Sequence, residues 1–304
     1  MNQVPMKQLV ILSGKGGTGK TSVTAAFAHL AAQGDSRVHT VLADADVDAA
    51  NLELVLAPEM ETRTDFWGGQ LAQINPQLCE GCGICQDVCR FDAVHETDGD
   101  YHVDPIACDG CAACVFQCPE EAITMQPQLA GEWFRSQSRY GTLFHAALKP
   151  AQENSGKLVT VVKQNAQLLA MDENIPLVLV DGPPGIGCPV ISAVSGADLA
   201  LIVTEPTAAG VHDMKRVLQT INHFGVQALV CINKTDIYPA GAAQIEAFCR
   251  EEGIQVIGQI PFDLGVTEAM VQGQPVTAYQ PVAPASQALQ NLWEKVTRIL
   301  ETVL

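Results

Sequence analysis

Two sets of residues in this chain have the types and spacing to do chemistry. The first is sulfur. Eight of the 11 cysteines lie between Cys79 and Cys118, in two runs of one form. "CEGCGICQDVC" supplies Cys79, Cys82, Cys85 and Cys89, and "CDGCAACVFQC" supplies Cys108, Cys111, Cys114 and Cys118. Thiolates at such intervals can wrap one face of an inorganic cube, and Gly81, Gly83, Gly110, Ala112 and Ala113 let the backbone come close. The second set is a phosphate-binding loop, "GKGGTGKT" from Gly14 to Thr21, which fits G-x-x-x-x-G-K-[ST]. Its glycines allow backbone N–H groups to turn inward around phosphate oxygens, and the helix that follows presents its N-terminus to them. Lys20 neutralises the β- and γ-phosphates, and the Thr21 hydroxyl is placed for Mg2+. The nucleotide-binding candidates here are Gly14, Lys15, Gly16, Gly17, Thr18, Gly19, Lys20, Thr21 and Ser22. The pattern needs one lysine; Lys15 is a second.

Composition narrows the partners. The chain has 304 residues, 17 basic against 34 acidic, and a formal net charge of −17. A duplex-DNA binder needs Lys and Arg on the phosphates, so nucleic acid and anionic lipid are poor partners, and a basic protein patch is a better one. No apolar run approaches the ~20 residues of a membrane helix, and no secretory leader is visible, so a cytoplasmic protein without stable membrane insertion is expected. In that setting clustered cysteines point to metal rather than disulfides. Zinc is the competing metal, but zinc sites use paired C-x2-C units. A C-x2-C-x2-C-x3-C run is the pattern of bacterial two-cluster ferredoxins, where the fourth cysteine of each run serves the other cluster. Cys79, Cys82, Cys85 and Cys118 are therefore expected on one [4Fe–4S] cluster, and Cys108, Cys111, Cys114 and Cys89 on the second. Arg90 stands after Cys89, where proline is usual, while Pro119 follows Cys118.

Position along the chain shows what must hold these groups. "KQLVILSG" reads as a strand, "GKTSVTAAFAHLAAQG" as a helix ended by Gly34, and Val38–Ala43 as a second strand. Strand, phosphate loop, helix, strand opens a parallel α/β sheet. From 64 to 126 the sequence turns Cys-rich, Gly-rich and turn-like. Residues 131–148 hold a cluster of aromatics, read as a return hairpin packed on the core. Helical periodicity resumes near Ser155, and four strand-like runs follow: "PLVLVD", "LALIVTE", "ALVCIN" and "VIGQIPF". The last helix carries an apolar stripe of Leu289, Leu292, Trp293, Val296, Ile299, Leu300 and Val303, fit for a core. The expected domains are 1–63 and 155–304 as two parts of one α/β domain, an insert over 64–126, and a return linker over 127–154. Asp44 and Asp46 end the second strand and Asp181 ends another, at the carboxyl edge where doubly wound sheets bind ligands.

"KGGTGKT" with Lys15 resembles the deviant Walker A loop of the MinD/ParA/Mrp ATPases, the class that includes the nitrogenase iron protein. The resemblance implies a doubly wound, mostly parallel P-loop NTPase fold, here with a small inserted bacterial-ferredoxin-like α+β domain. It implies that Lys15 reaches across a dimer interface to the partner's phosphates, as an arginine finger does. "DADVDAANL" resembles the family's first switch: Asp46 would orient the attacking water and Asp44 would support Mg2+ with Thr21 and Asp181. "DGPPG" resembles the second switch, where Gly182 or Gly185 would sense the γ-phosphate. "INKTD" and "IPFD" resemble the base loops, making Asn233, Pro261 and Asp263 the base contacts. N-K-x-D also occurs in GTPases, so GTP stays open beside ATP. Lys15, Lys20 and Asp46 are the catalytic candidates.

The cofactors so implied are ATP, Mg2+ and two [4Fe–4S] clusters. The implied assembly is a homodimer, or a heterodimer with a paralogue, with a redox or metalloprotein partner. Three functions fit: ATP-gated electron transfer, cluster or metal delivery as in Mrp-like or CooC-like relatives, and a MinD-like positioning switch with redox-sensing clusters. Cys188 is read as structural or switch-packing, Cys231 and Cys249 as buried, and the seven histidines as structural.

Overall fold

The structure, a computed structural model, describes residues 6–33, 37–150, 152 and 156–302. Gly34, Ser155 and Val303 lie outside the described residues. The chain divides into two compact units. Unit 1 comprises 1–64, 133–147 and 154–304; unit 2 comprises 65–132 and 148–153.

In chain order, unit 1 opens with β1 (Lys7–Ser13), α1 (Lys20–Ala31), β2 (Thr40–Asp44) and α2 (Leu52–Leu56). The strand β3 (Glu59–Ile74) leads out of it. Unit 2 then holds α3 (Ile84–Asp87), β4 (Val94–Thr97), β5 (Asp100–Val103) and α4 (Ala113–Gln117). β6 (Ile123–Ser138) leads back to β7 (Gly141–Leu148), α5 (Lys157–Asp172), β8 (Leu177–Pro184), α6 (Cys188–Val194) and β9 (Leu199–Thr204). The rest is α7 (Ala208–His223), β10 (Gln227–Asn233), α8 (Pro239–Glu251), β11 (Gln255–Ile260), α9 (Leu264–Val271), α10 (Val276–Tyr279) and α11 (Pro284–Thr302).

The sheet order is β11-β10-β9-β1-β8-β2-β7-β6-β3. Every pairing from β11 to β7 is parallel. The central strands are continuous apolar runs, as strands covered on both faces must be: Leu9–Leu12, Val41–Ala43, Val178–Val180 and Leu199–Val203 are all fully buried. α11 lays the expected stripe on this sheet, with Leu289, Leu292, Trp293, Val296 and Leu300 buried and Trp293 5.0 Å from Phe27.

Two segments differ from the sequence reading. The stretch read as turn-like includes most of β3, a strand of 16 residues. Its side chains are nearly all solvent-facing, so no apolar alternation announces it. The segment read as a return linker or hairpin supplies β6 and β7, and what the reading did not include is that β7 joins the parallel sheet beside β2, Leu143 opposite Leu42 and Phe144 opposite Ala43.

Unit 2 has little core of its own. Ala72, Cys85, Val94, Cys114 and Ile123 are its buried cluster, with β4 and β5 an antiparallel hairpin alongside. Its two halves repeat at a spacing of 29 residues, down to backbone detail. Gly81 and Gly110 both have φ 72°, Gly83 and Ala112 have φ 79° and 61°, and Asp92 and Glu121 both have φ 48°. No described helix is long and apolar enough to cross a membrane.

Candidate functional site

The phosphate loop spans the gap between β1 and α1. Gly17 and Gly19, at φ 78° and 95°, take the left-handed conformation that penalises a side chain. A Cβ on Gly16 or Gly17 would meet nothing within 4 Å, so the loop is open where phosphate would lie. Its outer side is braced. A Cβ on Gly14 would come within 2.2 Å of Asp213 Cβ, and one on Gly19 within 2.4 Å of Asn233 Nδ2. The Asn233 amide donates to the Thr18 carbonyl at 2.8 Å, and Lys234 Nζ to the Gly17 carbonyl at 3.3 Å. The Ser13 hydroxyl donates to the Lys15 carbonyl at 2.7 Å. Thr18 Oγ1 is buried without a partner, a donor waiting for an anion.

The residues expected at the base hold loops together. Asn233 props the phosphate loop as just described. Asp263 caps α9, accepting from Gly265 N at 2.9 Å and Ala285 N at 3.3 Å. Asp236 accepts from Phe262 N at 2.6 Å, which fixes the chain beside Pro261.

β2 and β8 are in register at Asp44 and Asp181, which brings these two fully buried carboxylates side by side. Thr21 and Thr24 donate to the two oxygens of Asp181, at 2.6 and 3.0 Å. Asp44 accepts from Asp46 N at 3.2 Å and Leu52 N at 3.0 Å. Lys20 Nζ lies 3.7 Å from Asp46 Oδ2. Burial lifts the pKa of Asp44 well above the carboxylate range, and the Asp181 charge lifts it further against the two N–H bonds. Asp181 is likewise raised by burial, against Lys20 and the two threonines. Asp46 is pushed up to about 6, by burial first, and by Asp181 and Asp48, with Lys20 opposing. Lys20 thus offsets Asp46 and Asp181 beside a third carboxylate, Asp44. A dication beside Thr21, Asp44 and Asp181 would relieve that imbalance, so the residues fit Mg2+. Among the described residues no three His, Cys, Asp or Glu side chains converge as they would on a metal ion.

Gly182 is packed into the sheet, where a Cβ would lie 2.5 Å from Leu12 Cδ2 and 2.8 Å from the Ile11 carbonyl. The Gly185 N–H donates to the Ser13 carbonyl at 2.9 Å, so in this conformation it is not turned to a phosphate. Lys15 Nζ sits 3.0 Å from Glu205 Oε2, and Lys234 Nζ 2.5 Å from Glu205 Oε1. Burial by itself would raise Glu205; hydrogen bonds from Lys234 and Lys15 outweigh it and hold its pKa below the usual range. Sequence reading had no signal for Glu205 or Lys234, because their link to the loop spans the fold.

In unit 2 the eight cysteines line two cavities. One is lined by Cys79, Cys82, Cys85 and Cys118, beside Ile74 and Tyr101. The other is lined by Cys89, Cys108, Cys111 and Cys114, beside Phe91 and Val103. Each cavity therefore takes three sulfurs from one run and the fourth from the other. Burial raises the thiol pKa of Cys85 and Cys114. Ala93 N–H points at Cys89 Sγ at 3.3 Å and Ala122 N–H at Cys118 Sγ at 3.4 Å, a matched pair of N–H···S contacts. An all-sulfur donor set in two pockets of four fits a pair of iron–sulfur cubes. Outside unit 2, Cys231 and Cys249 are buried and Cys188 is exposed at the start of α6.

Residues 9–276 match the CobQ/CobB/MinD/ParA nucleotide binding domain. The chain belongs to that family. An uncharacterised protein of Methanocaldococcus jannaschii is 31% identical over 297 residues, covering 96% of this chain and 97% of that one. An iron–sulfur cluster carrier protein of Pyrococcus horikoshii is 28% identical over 144 residues, 43% of this chain and 48% of its own. Among solved structures, the septum site-determining protein MinD of Pyrococcus horikoshii, complexed with Mg-ADP, is similar in fold: TM-score 0.56 at 19% identity, over 98% and 99% of the two chains. The MinC:MinD complex of Aquifex aeolicus gives a TM-score of 0.58 at 21% identity, over 96% and 95%. The phosphate loop of this family member is the braced loop described above.

Proposed function

We propose that the chain is a dimeric, MgATP-hydrolysing iron–sulfur protein in which nucleotide state controls two [4Fe–4S] clusters, for gated electron transfer to a partner. The observation that carries this reading is the crossed lining of the two cysteine cavities by four thiols each, in a chain whose other unit is a family nucleotide site. Cys79, Cys82, Cys85 and Cys118 would hold one cluster and Cys89, Cys108, Cys111 and Cys114 the other. Such a pair supplies one-electron storage at separated sites.

The remaining roles belong to unit 1. Backbone N–H groups of the loop, Lys20 and the Thr18 hydroxyl bind the phosphates; Thr21, Asp44 and Asp181 would hold Mg2+. Asp46 orients water, whose oxygen forms the new bond to the γ-phosphorus as the bond to the bridging oxygen breaks and ADP leaves with that electron pair. Lys15, once free of Glu205, adds its charge to the partner's phosphates.

Cluster delivery is a second reading, favoured by the similarity to the Pyrococcus horikoshii carrier protein. An anaerobic EPR-monitored redox titration separates the two, run without nucleotide, with MgADP and with a non-hydrolysable MgATP analogue. A nucleotide-dependent shift in potential is expected. Overlying curves, with iron passing to an apo-acceptor on ATP addition, would leave delivery as the function.

A further inference from the structure

A buried polar chain in unit 1 links the nucleotide loop to the strand that returns from the cysteines. Asp44 ties down both the loop, through Asp46 N, and the start of α2, through Leu52 N. The next residue of α2, Glu53, puts Oε2 3.0 Å from Nδ1 of His145 on β7. His145 Nε2 lies 2.9 Å from Oγ of Ser136 on β6. The carboxylate can only accept, so Nδ1 carries the proton and Nε2 accepts from the serine hydroxyl. The imidazole stacks on Phe134, centroids 5.0 Å apart, and His145 and Ser136 are 6% and 1% exposed. Ser136 is too enclosed to meet a substrate, so the resemblance to a hydrolytic triad ends at the geometry.

A polar trio inside an apolar hairpin is an odd choice if its only task is to pair two strands, since unmet buried polar groups are costly. The trio is also lopsided. The Glu53 side chain is 42% exposed and can release into water, whereas His145 cannot leave. Glu53–His145 is therefore the contact of the trio that can open to water, and Asp44 holds the start of the same helix through Leu52 N. β6 begins at Ile123, five residues after Cys118, and β3 begins at Glu59, three residues after α2 ends.

We propose that Glu53, His145 and Ser136 are the relay by which the state of the Asp44 loop reaches β6 and, along it, the segment carrying Cys118. The relay rests on the nucleotide-controlled reading above. Its members are positioning residues: none touches nucleotide or sulfur. Coupling of this kind needs a two-state element biased from both ends, and the Glu53–His145 contact is that element.

The test uses the full-length, iron-loaded protein. Hydrogen–deuterium exchange over 59–74 and 123–138 is compared between MgADP and a non-hydrolysable MgATP analogue, beside the EPR titration. The parent should show a nucleotide-dependent difference in exchange over 123–138. Glu53→Ala should reduce it at least fivefold, with iron content unchanged and nucleotide affinity within twofold. The double variant His145→Phe/Ser136→Ala, which keeps a stacked ring and leaves no orphan hydroxyl, should do the same. A difference that survives in both variants overturns the relay while leaving nucleotide control standing. So does a loss accompanied by weakened nucleotide binding, since the trio would then merely hold the site together. If the parent itself responds to nucleotide in neither exchange nor potential, nucleotide control fails and the relay falls with it.

Discussion

The two units solve opposite folding problems. In unit 1 the charged groups are guests of a finished core: Asp44 and Asp181 lie among Leu42, Ala43, Leu179 and Val180, all fully buried. Those strands would pair and pack with no ligand present. In unit 2 the reactive groups are the core. Cys85 and Cys114 are among its few buried residues, and Cys89, Cys108 and Cys118 pack against them. Around them stand 12 acids and a single arginine between Asp65 and Glu132. So small a core with that much like charge cannot offset its own chain entropy, roughly 1–2 kcal/mol per residue. On the proposed reading, unit 1 binds its nucleotide as an event, whereas unit 2 would need its clusters in order to fold.

The largest predicted effect breaks the comparison at that point. Stripping iron anaerobically, or making Cys85→Ser, should abolish exchange protection over 75–122 and leave unit 1 cooperatively folded. MgATP affinity should stay within about threefold, about 0.7 kcal/mol. Retained protection in iron-free unit 2 would show that its apolar contacts suffice and would sink the contrast.

Unit 1 has its own internal comparison, between its two loop lysines. Lys20 is buried beside Asp46 and Lys15 is a third exposed in the grip of Glu205. Lys20→Ala should weaken MgATP binding about 100-fold, the loss of a charge-assisted contact of roughly 3 kcal/mol. Lys15→Ala should leave binding nearly intact and lower turnover about 1,000-fold, the low end of what a transition-state cation contributes. Isothermal titration and phosphate release measure the two quantities. Unchanged turnover in Lys15→Ala would remove the in-trans role.

Much of unit 1 is legible in the sequence because its signals are local. Gly14–Thr21, the apolar runs of β1 and β8, and the stripe of α11 each carry their period or motif within one segment. The cysteine pattern is equally local, and its two runs give the crossed sets that line the cavities. What sequence could not carry is pairing at a distance. β3 has no apolar alternation because it is satisfied by backbone bonds to β6 and faces water. His145 looks like any core histidine until the fold brings Glu53 from 92 positions away. Asn233 is expected from the sequence as a base contact; that its amide donates to the Thr18 carbonyl, 215 positions away, is a property of the folded sheet edge.

A smaller effect concerns pH. Asp46 sits at about 6 in the folded protein, above its ordinary value, because it is buried among like charges. Folding therefore takes up a proton at this group. Its contribution is full below the unfolded pKa near 4 and is lost as pH rises through about 6. Asp46→Asn should leave Tm unchanged at pH 4 and raise it by about 2–4 °C at pH 7.5, the equivalent of roughly 1 kcal/mol after allowance for its partial exposure. The same variant should lose turnover at every pH. A Tm gain equal at both pH values would mean the amide packs better for reasons unrelated to charge.

The smallest effect sharpens the repeat inside unit 2. Gly83 and Ala112 occupy equivalent positions, both left-handed, at φ 79° and 61°. One run thus uses the residue that conformation favours, and the other tolerates a methyl group there. The restriction at Gly83 has a local cause. Gly83 lies against Tyr101, where an added Cβ would come 3.1 Å from the phenol oxygen. Gly83→Ala should therefore lower the stability of iron-loaded unit 2 by about 1–2 kcal/mol, combining backbone strain with the push on Tyr101. Ala112→Gly relieves the same strain but gains chain entropy in the unfolded state, so the two terms nearly cancel, to within about 0.5 kcal/mol. Denaturant midpoints read by loss of the iron–sulfur absorbance would measure both. Equal losses from the two substitutions would mean that each position favours its own residue, so the 29-residue repeat is symmetric in backbone but not in energy and the alanine is there for a contact of its own.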